Sequence, residues 1–410
     1  MKMVRNFILL LFLLLFGQCN LINNKRGRAF VVQDLSRVDS ISRVDESGVT
    51  IIKVKEPLNN QILSTDLIED FFYVPLETTD ESLFGYCTQL EIFDDKIYLF
   101  DQFSTQSVFI FDRTGKFIKR LGEKGGAPFE FQAPKGMAID RVNKQLIIYD
   151  NQKRVWMYFT LTGEYIKKVN VPFRMKGSFQ LFPSGHIVSA TNKGDWNTHL
   201  GAYTDYRLLY TDTTGNIVKA VYPYLETEYS DISYPSLLFM DNEILYFPLY
   251  LNEIYQITDS TIKTKYRFDY ADFTPFEKEK MGTFESSDDF EAYVASHAYL
   301  TEFSENETHI SFITNKKDGK KFITFLDKRS GNSVSFTNIH YDMDFIFNFN
   351  PYFSSSDYFI AALHPSLLKG LKQYINKTSH YPAKEYNMRL FEDIKDDDNM
   401  VLVFFKIKDL

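Results

Sequence analysis

A unit of four short, strand-like segments recurs along this chain with a period of about fifty residues. The unit is clearest over residues 136–169, where short turns separate GMAID, QLIIYD, VWMYF and EYIKKV. Segments of this length joined by tight turns indicate an antiparallel meander. Glycines in equivalent turns, Gly115, Gly163 and Gly215, mark successive units at spacings of 48 and 52 residues. Four strands per unit at this period predict a β-propeller.

Strand-like segments are left over at both ends of the repeats. Five copies of the unit can be recognised, while residues 71–76 (FFYVPL) precede the first copy and residues 400–407 (MVLVFFKI) follow the last. If the N-terminal segment forms the outer strand of the last blade, the ring closes without a free end. We therefore predict an all-β fold over residues 65–410. It is a six-bladed β-propeller of four-stranded antiparallel blades, closed by an N-terminal strand that joins the C-terminal blade.

Two inserts interrupt the strand pattern and carry helix signals. In residues 275–297, Ser286 or Ser287 can cap a helix whose first turn is acidic. In residues 365–386, the stretch SLLKGLKQYI has apolar residues spaced by threes and fours. The rest of the composition suits strands, because 16% of the residues are aromatic and nearly all of these are Phe or Tyr. Two helical inserts on a β-rich ring are therefore expected.

The N-terminus has the pattern of an export signal. In residues 1–19, Lys2 and Arg5 precede an apolar run of ten residues, which is too short to span a bilayer. The run ends in LFGQC, a lipobox-like sequence, so Cys19 is the predicted lipid attachment site; ordinary cleavage nearby is the alternative. Residues 20–64 are polar, with SRVD at 36–39 and again at 42–45. We interpret them as a tether, with one strand near residues 49–54.

Charge and reactive residues exclude some functions. The net charge of −8 and the absence of a long basic run argue against nucleic-acid binding. The two cysteines form no CxxC pair, and none of the seven histidines has metal-ligand spacing. Cys87 is expected to be a small buried side chain in a strand. We predict no catalytic constellation, no metal and no cofactor.

The loop between the second and third strands of the third unit, residues 191–206, differs from its counterparts in length and composition. It combines aromatic and polar side chains, which is typical of a platform for a glycan or a peptide. The candidate ligand-binding residues are Lys193, Asp195, Trp196, His199, Tyr203 and Tyr206. The alternative is a loop that only folds over its own blade.

Several segments resemble known propeller families. The stretch GGAPFEFQAPKGMAID and the strands after it resemble an NHL-type propeller repeat. FFYVPLETTDESLFG, FIFDRTGKFIKRLG and the terminal DDDNMVLVFFKIK are similar to six-bladed β-propeller lipoproteins common in Bacteroidetes. This resemblance spans roughly residues 65–410. It implies the fold and a location in the cell envelope, either periplasmic or associated with the outer membrane, and it implies no established activity.

Together these features favour a binding or scaffolding module, attached to the membrane through its lipid anchor only. Its partner would be a glycan, a peptide or a protein of the envelope. The alternative is a hydrolase or lyase with its site at the central channel. The predicted inner strands GMAID and YCTQLEIF are mostly apolar and offer little to such a site, which favours binding.

Overall fold

The computed structural model describes residues 33–122, 125, 127, 129–175, 178–193, 197–225, 236–346, 353–378 and 385–410. Within these residues, the strands form six small antiparallel sheets that are the blades of a β-propeller. The prediction of an all-β, six-bladed fold is therefore confirmed. In blades 1 to 5 the strands are hydrogen-bonded in chain order, and most neighbouring pairs of first strands contact one another around the axis.

The strands divide into an N-terminal group and the blades. The N-terminal group is β1 (Asp39–Ile41), β2 (Thr50–Lys53), β3 (Gln61–Leu63) and, after the one-turn helix α1 (Ser64–Leu67), β4 (Ile68–Pro75). Blades 1 to 3 consist of β5 (Gln89–Phe93), β6 (Lys96–Asp101), β7 (Ser107–Asp112), β8 (Phe117–Leu121), β9 (Pro134–Asp140), β10 (Gln145–Asp150), β11 (Val155–Thr160), β12 (Tyr165–Asn170), β13 (Phe179–Leu181), β14 (Ile187–Ala190), β15 (Tyr206–Thr211) and β16 (Ile217–Pro223).

The remaining strands build blades 4 to 6, except for β25, which pairs with β3. They are β17 (Ser236–Met240), β18 (Glu243–Phe247), β19 (Glu253–Ile257), β20 (Ile262–Asp269), β21 (Tyr299–Glu305), β22 (His309–Lys316), β23 (Lys320–Asp327), β24 (Ser333–Phe336), β25 (Asn338–His340), β26 (Phe353–Ser355), β27 (Tyr358–Leu363) and β28 (Val401–Ile407).

The middle strands of each blade are buried on both faces. For example, β7 and β10 are almost continuously apolar and buried, because neighbouring blades cover both of their sides. Buried tyrosines also tie blades together, since a buried hydroxyl needs a partner. The Tyr98 hydroxyl donates to the carbonyl oxygen of Leu161 in blade 2 at 3.0 Å, and the Tyr149 hydroxyl donates to that of Phe173 at 3.0 Å.

The repeated turn glycines pack each blade against the one before it. Gly115 and Gly215 have φ angles of +88°, a conformation that favours glycine. A Cβ atom at Gly115 would lie 2.1 Å from the carbonyl oxygen of Pro75 in β4, and one at Gly215 would lie 2.1 Å from that of Asn170 in β12. The turns therefore need glycine both for their φ angle and for the close approach.

The ring closes through β4. This strand pairs antiparallel with β28, from Pro75 opposite Val401 to Ile68 opposite Ile407, and is the outer strand of blade 6. The rings of Phe72 and Phe404 stack across the pair, with centroids 4.7 Å apart. The predicted closure is confirmed, and it removes the free strand edge that β28 would otherwise present.

The N-terminal residues 39–63, which we call the belt, lie on the rim of the ring. Strand β1 pairs in parallel with β16 of blade 3, β2 with β20 of blade 4, and β3 with β25, which follows blade 5. The structure thus differs from a flexible tether over this part of residues 20–64, although β2 does fall at the strand expected near 49–54. The physical reason is that outer strands leave backbone N–H and C=O groups that a passing extended segment can satisfy.

Both predicted inserts contain helices. The first contains α2 (Ser287–Ser296), which begins after Ser286; the Ser286 hydroxyl accepts a hydrogen bond from the backbone N–H of Asp289. The second contains α3 (Pro365–Thr378), and α4 (Glu385–Asp393) follows it before β28. In the part of the chain that the structure describes, no helix combines the length and apolar character needed to cross a membrane.

Candidate binding site at the mouth of the central channel

The first strands of the blades surround a cavity of about 930 Å³ on the propeller axis. Residues from every blade line it, including the inner strands β5, β9, β13, β17 and β26, and Glu307 in the turn after β21. Each blade begins with its inner strand, so the inner strands all run in the same direction along the cavity, and its two ends are lined by different residues. We call the end where the inner strands begin the mouth, and the end where they turn into the second strands the base.

An ion pair crosses the base of the channel. Nη2 of Arg141, after β9, lies 2.7 Å from Oε2 of Glu91 in β5. The guanidinium carbon of Arg141 is 5.1 Å from the ring centroid of Phe93 and 4.2 Å from that of Phe239 in blade 4. Burial raises the pKa of Glu91, against the opposing effects of Arg141 and of a hydrogen bond from Gln180. These contacts connect the inner strands of four blades.

A hydrogen bond connects the inner strands of blades 1 and 2 close to the mouth. The backbone N–H of Met137 in β9 donates to Oε1 of Gln89 in β5 at 2.8 Å. Lys135 and Cys87 each lie two residues closer to the start of the chain, on the side of the mouth. Both line the cavity. Cys87 precedes β5 and is half-buried, so the expectation of a buried side chain within a strand is wrong; desolvation still raises the pKa of its thiol and disfavours the thiolate.

The loop between the second and third strands of blade 1 is held against this mouth. The Thr88 hydroxyl donates to the carbonyl oxygen of Phe100 at 2.7 Å and accepts from the backbone N–H of Gln102 at 3.2 Å. Gln102 and Phe103 then line the cavity beside Thr88. The mouth therefore combines a hydroxyl, an amide and an aromatic ring.

Two aromatic rings are exposed at the mouth. Tyr86 is 57% exposed and Phe103 is 69% exposed. Their ring centroids are 6.2 Å apart and their planes meet at 88°. Solvent-exposed apolar surface at the edge of a cavity is typical of ligand-binding sites. We call this feature the aromatic pair.

A buried carboxylate positions the aromatic pair. Asp101 accepts hydrogen bonds from the backbone N–H of Gly85 at 2.9 Å, of Phe103 at 3.1 Å and of Ser104 at 2.9 Å. Burial alone would raise the pKa of Asp101, but hydrogen bonds from Gly85, Ser104 and Thr105 lower it below its usual value. The segment before Tyr86 and the loop that carries Phe103 are therefore fixed to one charged group.

The residues predicted for the 191–206 loop lie apart from this cavity. Lys193 Nζ donates to the carbonyl oxygen of Leu225 at 2.9 Å, and His199 Nε2 lies 2.5 Å from the carbonyl oxygen of Pro172. The Tyr203 ring is 6.2 Å from the ring of Tyr206. None of the four candidate residues that the structure describes in this loop, Lys193, His199, Tyr203 and Tyr206, lines the cavity.

Tyr203 connects the loop to the segment just before the belt. Its hydroxyl lies 3.3 Å from the carbonyl oxygen of Leu35 and 3.2 Å from that of Val38. Asp195, Trp196 and the lipid attachment site Cys19 lie outside the described residues. Ligand binding by the 191–206 loop therefore stays a prediction.

The residues that the structure describes contain no group of three or more His, Cys, Asp or Glu side chains placed to hold a metal ion.

The comparison with protein families gives a single assignment. The model of a family described as a domain of unknown function (DUF4934) matches residues 49–406. The chain belongs to this family. The family match includes the belt as well as the blades, since it begins just before β2. No curated protein matches the chain.

Two solved structures from Bacteroides are similar to this DUF4934 chain. A protein of Bacteroides fragilis described as a "putative exported protein" is 17% identical, with 88% of this chain and 100% of that chain covered and a TM-score of 0.69. A DUF4221 family member from Bacteroides vulgatus is 12% identical, with 84% and 98% covered and a TM-score of 0.49. At this level of identity, the first likeness concerns the fold alone.

Proposed function

We propose that this protein is an exported binding module whose ligand is a glycan, held at the mouth of the central channel. Export is supported by the signal-peptide pattern of residues 1–19 and by the likeness to a Bacteroides fragilis protein described as exported. Acylation of Cys19 would anchor the protein in the cell envelope, on the periplasmic side or at the outer membrane. The propeller then acts as a rigid platform.

The observation that carries the proposal is the exposed aromatic pair beside the channel cavity, whose lining mixes polar and apolar side chains. A sugar ring has an apolar face and a hydroxyl-bearing edge, so it can cover an aromatic ring while its hydroxyls bond to neighbouring polar groups. Thr88 and Gln102 provide such groups next to Phe103. Covering about 100 Å² of apolar ring surface would contribute roughly 2–3 kcal/mol. The Asp101 hydrogen bonds hold the rings in place before binding, which reduces the entropy lost on association.

A hydrolase or lyase site in the channel has less support. Two of the three described carboxylates that line the cavity are in ion pairs, Glu91 with Arg141, and Asp241, whose Oδ2 lies 2.6 Å from Lys328 Nζ; Glu307 is the third. These contacts hold both paired carboxylates in place, so neither is positioned to exchange a proton with a ligand. A binding function needs no such group.

The test is a binding screen of the purified, processed protein against neutral and acidic oligosaccharides. For any oligosaccharide that binds, Tyr86→Ala and Phe103→Ala should each weaken the affinity about tenfold or more, which corresponds to about 1.4 kcal/mol. Tyr206→Ala, in the 191–206 loop, is the matched control and should leave the affinity unchanged. If Tyr206→Ala abolishes binding while Phe103→Ala does not, the site is the 191–206 loop. If no oligosaccharide binds, the proposed ligand class is wrong.

A further inference from the structure

The charges that line the channel are distributed unequally between its two ends. At the base, Arg141 is paired with Glu91, and Asp241 is paired with Lys328. Glu307, in the turn after β21, is a further carboxylate at the base. The base therefore carries more negative than positive groups, and its cations already have carboxylate partners.

Among the described residues that line the cavity, one cation lies at the mouth. Lys135, at the start of β9, lines the cavity there together with neutral groups such as Thr88, Gln102 and Ser178. Among the described residues, its ammonium group makes no ion pair or hydrogen bond. The two buried carboxylates of the adjacent loops are engaged elsewhere: Asp101 accepts backbone N–H groups of blade 1, and Asp150 accepts those of the segment before β9 and of Lys153. Lys135 is thus available to a ligand.

Lys135 lies within the same opening as the aromatic pair. Lys135 lines the cavity together with Phe103 and with Cys87, the residue after Tyr86. A lysine side chain extends about 6 Å from its Cα atom and ends in three rotatable N–H donors. A sugar ring that stacks on the aromatic pair would therefore have its edge within reach of the ammonium group.

We propose that the glycan is acidic and that Lys135 binds the carboxylate of a uronic acid residue. This inference rests on the proposed function, because it assigns a role to the cation beside the sugar platform. In a uronic acid the carboxylate lies at the ring edge, so the ring face can cover Phe103 or Tyr86 while the charge points toward Lys135. The acidic base of the channel repels the same carboxylate, so the charged edge is directed to the mouth.

The experiment compares oligosaccharides of galacturonate and of glucuronate with their carboxyl-reduced, neutral counterparts by calorimetry. The processed protein should bind an acidic oligosaccharide at least tenfold more tightly than its neutral counterpart, and the difference should shrink as salt is raised. Lys135→Gln should remove that preference while neutral binding is retained, and Lys135→Arg should keep most of it. Lys193→Gln, in the 191–206 loop, is the control and should behave as wild type. The thermal midpoints of the variants should match that of wild type.

The outcomes separate this inference from the proposed function. If neutral and acidic oligosaccharides bind equally, or if Lys135→Gln keeps the preference, the role of Lys135 is wrong while the glycan site stands. If neither kind binds, the proposed function fails and the inference fails with it. If an acidic peptide competes for the mouth as well as the best uronate does, recognition depends on charge alone and the sugar assignment is overturned.

Discussion

Glu305 lies at the end of β21. Among the buried carboxylates that join blades, we expect it to contribute most to the free energy of unfolding. Its side chain is fully buried. Oε2 lies 3.0 Å from Lys265 Nζ, while Oε1 accepts from the Tyr266 hydroxyl at 2.8 Å and lies 2.8 Å from Lys328 Nζ. Lys265 and Tyr266 belong to β20 of blade 4, and Lys328 follows β23 of blade 5. One carboxylate therefore connects two blades through three donors.

Replacing Glu305 with Gln keeps the shape and removes the charge. Lys265 retains Glu243 at 2.6 Å and Lys328 retains Asp241 at 2.6 Å, so neither ammonium group is left unpaired. The two lysine side chains are 20% and 24% exposed, so solvent screens part of the loss. We therefore expect Glu305→Gln to lower the free energy of unfolding by about 2–3 kcal/mol. This is less than the roughly 3–5 kcal/mol typically lost when a fully buried ion pair is broken. With an unfolding entropy of about 2.1 cal/mol/K per residue over some 380 residues, the midpoint should fall by about 3 °C.

Differential scanning calorimetry at pH 7 measures this shift. Glu285→Gln, at an exposed position in the first insert, is the matched control and should change the midpoint by less than about 1 °C. If Glu305→Gln also stays within 1 °C of wild type, the carboxylate contributes nothing to blade packing and the electrostatic argument is refuted.

Three further predictions concern the ring, the belt and the mouth. Deleting β4 (Ile68–Pro75) should leave β28 with a free edge, so size-exclusion chromatography should show aggregates in place of a monomer; a folded monomer would argue against closure through this strand. Tyr203→Phe should remove the hydroxyl contacts to the Leu35 and Val38 carbonyls, at a local cost of about 1 kcal/mol, and speed amide exchange in β1; unchanged exchange would contradict that role. Because desolvation raises the pKa of the half-buried Cys87 thiol, iodoacetamide at pH 8 should alkylate the native protein more slowly than the protein in urea; equal rates would contradict the raised pKa.

Local patterns in the sequence predict the ring well. The turn glycines mark a backbone conformation that few other residues adopt, and the strand FFYVPL has the apolar character of a buried strand. The belt is harder to predict. Its strands β1 and β3 are only three residues long and mostly exposed, and they pair in parallel with strands far along the chain. Such pairing is set by which outer edges are open, and the residues themselves are typical of a polar spacer.

The candidate site is less visible in the sequence for a related reason. Glu91 and Arg141 are fifty positions apart, and their meeting depends on how two inner strands sit around the axis. The signal for Phe103 is an aromatic residue in a short polar loop, DQFSTQ, but its exposure depends on the Asp101 hydrogen bonds that fold the loop. The 191–206 loop gives a stronger signal in the sequence because it is longer and richer in aromatic residues. In the structure, however, its Tyr203 contacts Val38, just before the belt.

The central claim, that the mouth of the channel holds an acidic sugar, is tested most directly by the crystal structure of the processed protein with its best uronate oligosaccharide. We predict electron density for a sugar ring against Tyr86 or Phe103, with its carboxylate within hydrogen-bonding distance of Lys135 Nζ. Sugar density on the 191–206 loop, with none at the mouth, would contradict the account.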